Sequence, residues 1–270
     1  MPIYFDLMDP SLPLAPESIG NRWEQENILR PNGYPFYHWM QTEEGQGTLR
    51  IEDTEIPLPR RAGILIAPFV PHAYFRSGGQ WVTSFATFAG KLEPDIHKIV
   101  GPKPYIVVDA AEGEFYHAWV GQTVQDHEHR RLHGIRLSCE CYAFLLRLGC
   151  SQGEAETADH PLYRRYVMPA IREIETHHDQ PVTAEGLAAA LYVSPQYLSR
   201  LFKRFAGCSV YAYLTVHRMG RAKSLLVNHP GMEVQEIAYR VGYLDPSHFI
   251  ALFKQKTGYT PLAFRKLHIG

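Results

Sequence analysis

Apolar positions in residues 182–265 recur with the spacing of short amphipathic helices, and the same pattern occurs twice, about 50 residues apart. Each copy contains a short helix, a tight turn and a second helix that ends near a glycine. The matching residues are Leu187, Ala188, Tyr192, Val193, Leu198, Leu201, Phe202, Lys203 and Gly207, and then Ile237, Ala238, Gly242, Tyr243, Phe249, Leu252, Phe253, Lys254 and Gly258. A unit repeated at a fixed spacing is usually one supersecondary structure used twice. The pattern therefore predicts two helix-turn-helix hairpins.

Turn-forming residues divide each hairpin at the same place. Ser194-Pro195 and Asp245-Pro246 are each an N-cap residue followed by a proline at the first helical position. Gly242 suits a left-handed turn, whereas Tyr192 in the first copy has to adopt that conformation at some energetic cost.

The second helix of each hairpin carries polar and basic residues on the side away from its apolar stripe. A helix-turn-helix hairpin that binds DNA places its second helix in the major groove. In such a complex, we expect Gln196, Ser199 and Arg200 to face base edges and the basic residues to lie nearer the phosphates. Ile250 and Ala251 cannot form hydrogen bonds with bases, so we expect more direct readout from the first hairpin. A generic helical hairpin with solvated charges is the alternative, which the matched second copy disfavours. The candidate DNA contacts are Gln196, Tyr197, Ser199, Arg200, Lys203, Arg204, Ser247, His248, Lys254 and Lys256.

Charge is divided unevenly along the chain, although the net charge is only −1. Residues 163–270 contain 14 Lys and Arg and 7 Asp and Glu. Residues 1–162 contain the other 13 Lys and Arg and the other 21 Asp and Glu. A basic segment next to an acidic one is typical of a domain that binds nucleic-acid phosphates.

The C-terminal third resembles the DNA-binding domain of the AraC/XylS family of transcription regulators. The resemblance lies in Arg218, Arg221, Ala222, Leu225 and Leu226, in Val234, Ile237, Ala238, Gly242 and Tyr243, and in Asp245, Ser247, Phe249, Phe253, Lys254, Gly258, Tyr259, Thr260, Pro261, Phe264 and Arg265. It implies two hairpins joined by a long helix over residues 209–228. It also implies a double-stranded DNA operator and RNA polymerase as partners, and an activator that acts as a homodimer.

The first 110 residues have short alternating or apolar runs instead of helical periodicity. The runs predict strands at 34–41, 47–52, 63–67, 72–76, 81–88 and 104–108, separated by Gly and Pro turns. Several short strands at this spacing predict a small barrel or jelly roll. The order of Gly47, Gly63, Pro68, Pro71-His72 and Tyr74 resembles the cupin-like sensor half of the same family. Residues 1–20 contain four prolines and predict an extended arm without regular structure.

Polar side chains among the aromatic residues of these strands indicate a site for a small organic ligand, for which a sugar is one option. His38 and His72 are the polar candidates, and Tyr37, Trp39, Tyr74 and Trp81 are the candidate walls. The alternatives are that the rings form ordinary core and that both histidines satisfy core carbonyls. The His-x-His pair of metal-dependent cupins is missing, since His38 stands alone with only Glu43 or Glu44 nearby. We therefore expect no metal, no other cofactor and no catalytic residues.

Helices are predicted at 112–125 and 132–148. The second has an apolar stripe of Ser138, Cys141, Tyr142, Leu145 and Leu148, which is either intramolecular core or, as the resemblance implies, a dimer contact. Cys139 and Cys141 should point away from each other, and four cysteines in this length do not form a disulfide framework.

The sequence thus predicts an α+β multidomain protein with an all-α C-terminal part. Its expected segments are an arm (1–20), a cupin-like ligand-sensing barrel (21–110), a helical dimerisation segment (111–148), a linker (149–161) and a DNA-binding domain (162–270). Without a long apolar segment or a signal sequence, we expect a cytoplasmic protein without membrane contact. The expected function is ligand-responsive transcription regulation. A cupin-type metalloenzyme with an appended helical domain, and a DNA-binding dimer that senses nothing, stay open.

Overall fold

A computed structural model describes residues 3–5, 12–131, 133–151 and 160–269. The chain forms two compact units. The N-terminal unit consists of Met1–Glu93 and Tyr105–Leu148, and the C-terminal unit of Pro94–Pro104 and Gly149–Gly270.

The N-terminal unit contains two antiparallel sheets. The strands are β1 (Ile3–Phe5), β2 (Ala15–Glu24), β3 (Ile28–Arg30), β4 (Tyr37–Glu44), β5 (Gly47–Ile51), β6 (Thr54–Leu58), β7 (Gly63–Ile66), β8 (His72–Arg76), β9 (Val82–Ala89) and β10 (Tyr105–Val108). One sheet has the order β1-β2-β9-β4-β7-β10 and the other the order β3-β8-β5-β6. Because each strand alternates its side chains between two faces, one face of each sheet can be apolar. The apolar cluster that includes Met40, Ile64, Tyr74 and Trp81 draws residues from both sheets.

The outer face of the larger sheet is covered by two helices, α2 (Gly113–Glu128) and α3 (Gly134–Ser151). Trp39 of β4 is fully buried there, with its ring 4.8 Å from that of Tyr116 and 5.4 Å from that of Phe144. Gly63 leaves the space for this indole, because a Cβ on Gly63 would overlap the Trp39 ring.

Two expectations for this unit are wrong in part. Residues 1–20 were expected to lack regular structure, but residues 15–20 belong to β2, where Ala15 and Ile19 are fully buried. Their pairing with β9 overrides the low strand propensity of the prolines nearby. In the apolar stripe of α3, Tyr142 is 43% exposed, whereas Ser138, Cys141, Leu145 and Leu148 are buried. Cys139 is exposed and Cys141 buried, so the two thiols do point to different sides.

The C-terminal unit is helical. Its helices are α1 (Ile96–Val100), α4 (Met168–Thr176), α5 (Ala184–Ala190), α6 (Pro195–Ala206), α7 (Val210–Asn228), α8 (Val234–Arg240), α9 (Pro246–Thr257) and α10 (Pro261–Ile269). A π-helical turn at Tyr163–Val167 precedes α4. Helices α5 and α6 form the first predicted hairpin, α8 and α9 the second, and α7 is the predicted connecting helix. The predicted fold class, with a β-rich N-terminal part and an all-α C-terminal part, is confirmed.

Within the described parts of the chain, none of the helices combines the length and the hydropathy that crossing a bilayer requires.

Candidate functional site

The ends of the hairpin helices are fixed by the residues that the sequence singled out. Ser194 Oγ accepts a hydrogen bond from the Tyr197 amide at 3.2 Å, and Asp245 Oδ1 accepts one from the Ser247 amide at 2.8 Å. Gly207 and Gly258 end α6 and α9 in the left-handed conformation. These contacts satisfy main-chain groups that helix ends otherwise leave unpaired.

The two turns use the same conformation with different residues. Gly242 has a φ of 86° and Tyr192 a φ of 56°, so the predicted left-handed tyrosine is confirmed. The side chain of Tyr192 is 96% exposed. Its strain is therefore not offset by burial of the ring.

Helix α6 presents a polar stripe to solvent. Gln196, Ser199, Arg200 and Lys203 are exposed and follow one another at the spacing that places them on one helix face. The opposite face, with Leu198, Leu201, Phe202 and Phe205, is buried in the core of the unit. Tyr197 is half-buried with its ring edge against Tyr166 at 5.8 Å, and the Arg200 guanidinium lies 5.4 Å from the Tyr197 ring. Arg204 is exposed beside the Phe205 ring.

Helix α9 has the same length and repeats this stripe with different chemistry. Ser247, Ile250, Ala251 and Lys254 are exposed at the positions that correspond to the polar stripe of α6. His248 is also exposed, with its ring 5.8 Å from that of Tyr243. Lys256 is half-buried, and burial lowers the pKa of its ammonium group. Lys254 is exposed and is therefore more accessible to a phosphate than Lys256.

In the N-terminal unit, His38, Tyr74 and His72 form a buried chain of hydrogen bonds. Tyr74 Oη lies 3.0 Å from His38 Nδ1 and 2.8 Å from His72 Nε2, and His72 Nδ1 lies 2.7 Å from the Val70 carbonyl oxygen. Burial lowers the pKa of His72 to about 4 and that of His38 well below its usual range. Both rings are therefore neutral near pH 7.

The direction of each hydrogen bond follows from these neutral rings. A carbonyl oxygen only accepts, so His72 Nδ1 carries the proton and its Nε2 accepts from the Tyr74 hydroxyl. The Tyr74 oxygen then accepts from His38 Nδ1, which places the proton of His38 on Nδ1. His38 Nε2 is left as an acceptor with no hydrogen-bond partner among the residues that the structure describes.

Tyr34 lies against His38 and contacts two further polar residues, Arg30 and Glu17; the sequence pattern indicated none of the three. The Arg30 guanidinium lies 4.8 Å from the centre of the Tyr34 ring, and that ring lies 5.4 Å from the His38 ring. The Tyr34 hydroxyl donates to Glu17 at 3.4 Å, and Glu17 is buried. Arg30 pairs in register with His72 across β3 and β8. The strand that contains Arg30, β3, has only three residues and therefore leaves no periodic signal in the sequence.

The aromatic residues that were expected to line this site do not all lie there. Tyr37 and Trp39 alternate with His38 on β4 and point to its opposite face, towards the helices in the case of Trp39. Trp81 donates to Thr42 Oγ1 at 2.9 Å. Thr42 is four residues from His38 on β4, about 13 Å at the usual rise of a strand. Tyr74 alone of the four expected walls contacts His38.

The donor atoms of His72 and Glu43 are not arranged to bind a metal ion together with His38. Both ring nitrogens of His72 already form hydrogen bonds, so this residue has no lone pair to offer a metal ion. Glu43 lies towards α2, where its carboxylate is 3.8 Å from His117 Nδ1, and it accepts a hydrogen bond from the Arg22 amide. These residues do not fit the metal site of a cupin enzyme.

A two-sheet ligand-binding fold followed by paired helix-turn-helix hairpins defines a class of two-domain regulators. The family model described as the AraC-like ligand binding domain matches residues 16–136, and that of a helix-turn-helix domain matches residues 187–267. The chain belongs to the AraC family of transcription regulators.

Curated relatives support this assignment over part of the chain. Regulatory protein PocR of Salmonella typhimurium is 34% identical over 97 residues, which are 36% of this chain and 32% of that protein. The lactose operon transcription activator of Staphylococcus xylosus is 35% identical over 83 residues, 31% of this chain and 29% of that protein. The match thus spans about a third of the length of these relatives.

Among solved structures, ToxT from Vibrio cholerae is similar in fold over 96% of this chain and all of that chain. The TM-score is 0.53 at 12% sequence identity. At this identity the likeness concerns the fold alone.

Proposed function

We propose that this protein binds a specific DNA operator through both hairpins and regulates transcription in response to a small molecule. The observation that carries the DNA-binding half of the proposal is the exposed stripe of Gln196, Ser199, Arg200 and Lys203. Polar residues of the N-terminal half of such a helix read base edges in the major groove. The excess of basic residues in this part of the chain supports the proposal, since phosphate contacts supply much of the affinity.

The roles of the individual residues follow from their placement. Gln196, Ser199 and Arg200 are proposed to contact bases, with Arg200 as the best candidate for a bidentate contact with guanine. Lys203, Arg204 and Lys254 are proposed to contact phosphates, because each is exposed and lies towards the C-terminal half of its helix. Ser247 and His248 are proposed as weaker readers in the second hairpin.

The test is a selection of binding sites by the full-length protein from random double-stranded DNA, followed by binding measurements on the selected duplex. We expect affinity at least 1000-fold above that for random duplex, the order typical of specific regulators. Equal affinity for selected and random duplexes would contradict the proposal. Cys208→Ser, a half-buried change outside the stripe, is the control variant.

The effector is proposed to bind beside His38. A ligand that offers a hydroxyl or N–H group can donate to the unpartnered His38 Nε2. An oxygen on the same ligand can accept from Arg30, which is held near the site by the Tyr34 ring. A small hydroxylated compound such as a sugar or a hydroxy acid meets both requirements.

This proposal is tested by thermal unfolding with a panel of sugars, hydroxy acids and their deoxy analogues. All four tryptophans, at positions 23, 39, 81 and 119, lie in the N-terminal unit, so their fluorescence reports on this unit. A ligand of the folded state raises the melting temperature.

We expect His38→Phe to weaken binding by about 1–3 kcal/mol, since it removes the acceptor. His117→Phe, a half-buried histidine on α2, is the control. If no compound of the panel raises the melting temperature, the proposed class of effector is wrong.

A homodimer is proposed through the solvent-facing side of α3. Ile135, Cys139, Tyr142 and Leu146 are all exposed, and their intervals of four, three and four residues form a coiled-coil stripe. The other side of α3 is already buried within its own unit. An isologous pair would bury the same stripe from both copies.

We further propose that the protein activates transcription by contacting RNA polymerase. Support comes from the name of one relative, the lactose operon transcription activator, which covers under a third of this chain. In vitro transcription from a promoter with the selected site tests the sign of regulation, since an activator raises and a repressor lowers the yield of transcript.

A further inference from the structure

The two recognition helices correspond residue by residue at an offset of 51. Helix α6 spans Pro195–Ala206 and α9 spans Pro246–Thr257, both with 12 residues. Their N-caps, Ser194 and Asp245, and their C-terminal glycines correspond at the same offset. The same surface position can therefore be compared directly between the two helices.

At the centre of this surface, α6 has Ser199 and Arg200 where α9 has Ile250 and Ala251. Both apolar residues are exposed; 37% of the Ile250 side chain is accessible to solvent. They are not part of the core of α9, which is formed by Phe249 and Phe253. The surface that α9 presents to solvent is therefore apolar at two positions where the surface of α6 is polar and basic.

The major groove contains one apolar group, the 5-methyl group of thymine, and apolar side chains recognise it by contact. We propose that Ile250 and Ala251 read thymine methyl groups in the half-site under the second hairpin. The inference rests on the proposed DNA-binding function. Specificity in that half-site then comes from buried methyl groups, whereas the first half-site is read by hydrogen bonds.

DNA fits this surface better than an apolar protein partner does, because charged and polar residues flank the pair on the same stripe. Lys254 follows Ala251 by three residues, and Ser247 precedes Ile250 by three, so all four share one face of α9. The cation suits a phosphate beside the groove, and the hydroxyl suits a base edge or phosphate.

The experiment uses the full-length protein and the duplex obtained by selection. The second half-site is identified as the one whose base preferences Arg200→Ala leaves unchanged. Each thymine in both half-sites is then replaced singly by deoxyuridine, which removes the methyl group and keeps the base pairing. We expect that deoxyuridine at one or two positions of the second half-site lowers the affinity of the protein for the duplex about fourfold. This is the effect expected from the loss of one buried methyl-sized group.

Variants connect the effect to the side chain. Ile250→Ser should remove the difference between thymine and deoxyuridine at one of these positions. Leu262→Ser is the matched control: its side chain is 56% exposed on α10 and undergoes the same kind of change. It should leave the difference unchanged.

Three results would overturn the inference. Specific binding with no loss at any deoxyuridine in the second half-site would refute it and leave the proposed DNA binding intact. So would an Ile250→Ser variant that keeps the full methyl effect but loses activation in vitro, which would point to a protein partner. Failure to select any specific duplex would refute the proposed DNA binding and this inference with it.

Discussion

Arg218 Nε donates a hydrogen bond of 2.7 Å to the main-chain oxygen of His178. A second donor of the same guanidinium, Nη2, contacts the Gln180 carbonyl at 2.9 Å, and the group lies 5.2 Å from the centre of the Tyr243 ring. Arg218 thus links the long helix α7 to the loop before the first hairpin and to the turn of the second. The neighbouring Gly242 has no room for a Cβ, which would lie 2.4 Å from the His178 oxygen.

We expect Arg218→Lys to destabilise the C-terminal unit. Lysine keeps the charge, but a single nitrogen cannot reproduce the planar two-point contact or the stacking on Tyr243. The loss of a charged hydrogen bond should lower the free energy of unfolding by about 1.5–3 kcal/mol. Urea unfolding followed by far-ultraviolet circular dichroism measures this. Arg221→Lys, an exposed position on the same helix, is the control, and equal effects of both changes would contradict the linking role.

Arg200→Ala and Lys203→Ala should affect DNA binding in different ways. Loss of Arg200 should cost about 1–3 kcal/mol on the specific duplex and relax the preference at one base pair. Loss of Lys203 should weaken all sequences alike and reduce the slope of log affinity against log salt by about one. Fluorescence anisotropy over a range of salt concentrations separates the two. Equal losses on specific and random DNA for both variants would mean that the roles are misassigned.

The stability of the N-terminal unit should fall as the pH falls from about 6.5 to 4. The pKa of His72 is about 4 in the folded protein and 6.5 as a free side chain, so the unfolded chain binds more protons in this range. The stabilisation is complete above pH 6.5 and is lost towards pH 4, on the order of 3 kcal/mol for this residue alone. Urea unfolding followed by tryptophan fluorescence should show this slope.

His72→Gln should reduce that dependence, because glutamine does not titrate, and the lowered pKa of His38 accounts for the slope that is left. His129→Gln serves as the control, since His129 is exposed. A variant with the same pH slope as the natural protein would show that His72 is not the titrating group.

Leu146→Lys should disrupt the proposed dimer. A charge in the exposed stripe of α3 would be buried without a partner when two copies associate. Analytical ultracentrifugation should find monomer at concentrations where the natural protein is dimeric. Leu267→Lys is the control, because Leu267 is 45% exposed, close to the 40% of Leu146. A natural protein that is monomeric at high micromolar concentration would contradict the proposal itself.

The hairpins were predictable because their signals are local. Capping by Ser194 and Asp245, the glycines that end α6 and α9, and the strained turn at Tyr192 all depend on residues within one turn of the chain. Such local preferences and helical periodicity act before any tertiary contact forms. The sequence therefore determined both the type of each element and the face of α6 that meets solvent.

The strands of the N-terminal unit were only partly predictable. The runs at 47–52, 63–67 and 72–76 correspond to β5, β7 and β8, which have apolar residues and turn signals at their ends. Residues 15–20 join β2 because β9 offers them a partner, and β3 pairs with β8 in the same way. Such strands form because a distant strand pairs with them, and the pattern of a single sequence does not show which distant strands pair.

Alternation along β4 showed that His38 and Trp39 point to opposite faces, but not which face meets the other sheet. The tertiary structure placed His38 beside Tyr74 and Trp39 against α2 and α3. It also brought Arg30 and Glu17 to the same site from strands that the sequence did not predict. The chemistry of the hairpins is determined by neighbours along the chain, whereas the proposed ligand site is built from residues that only the packing of two sheets brings together.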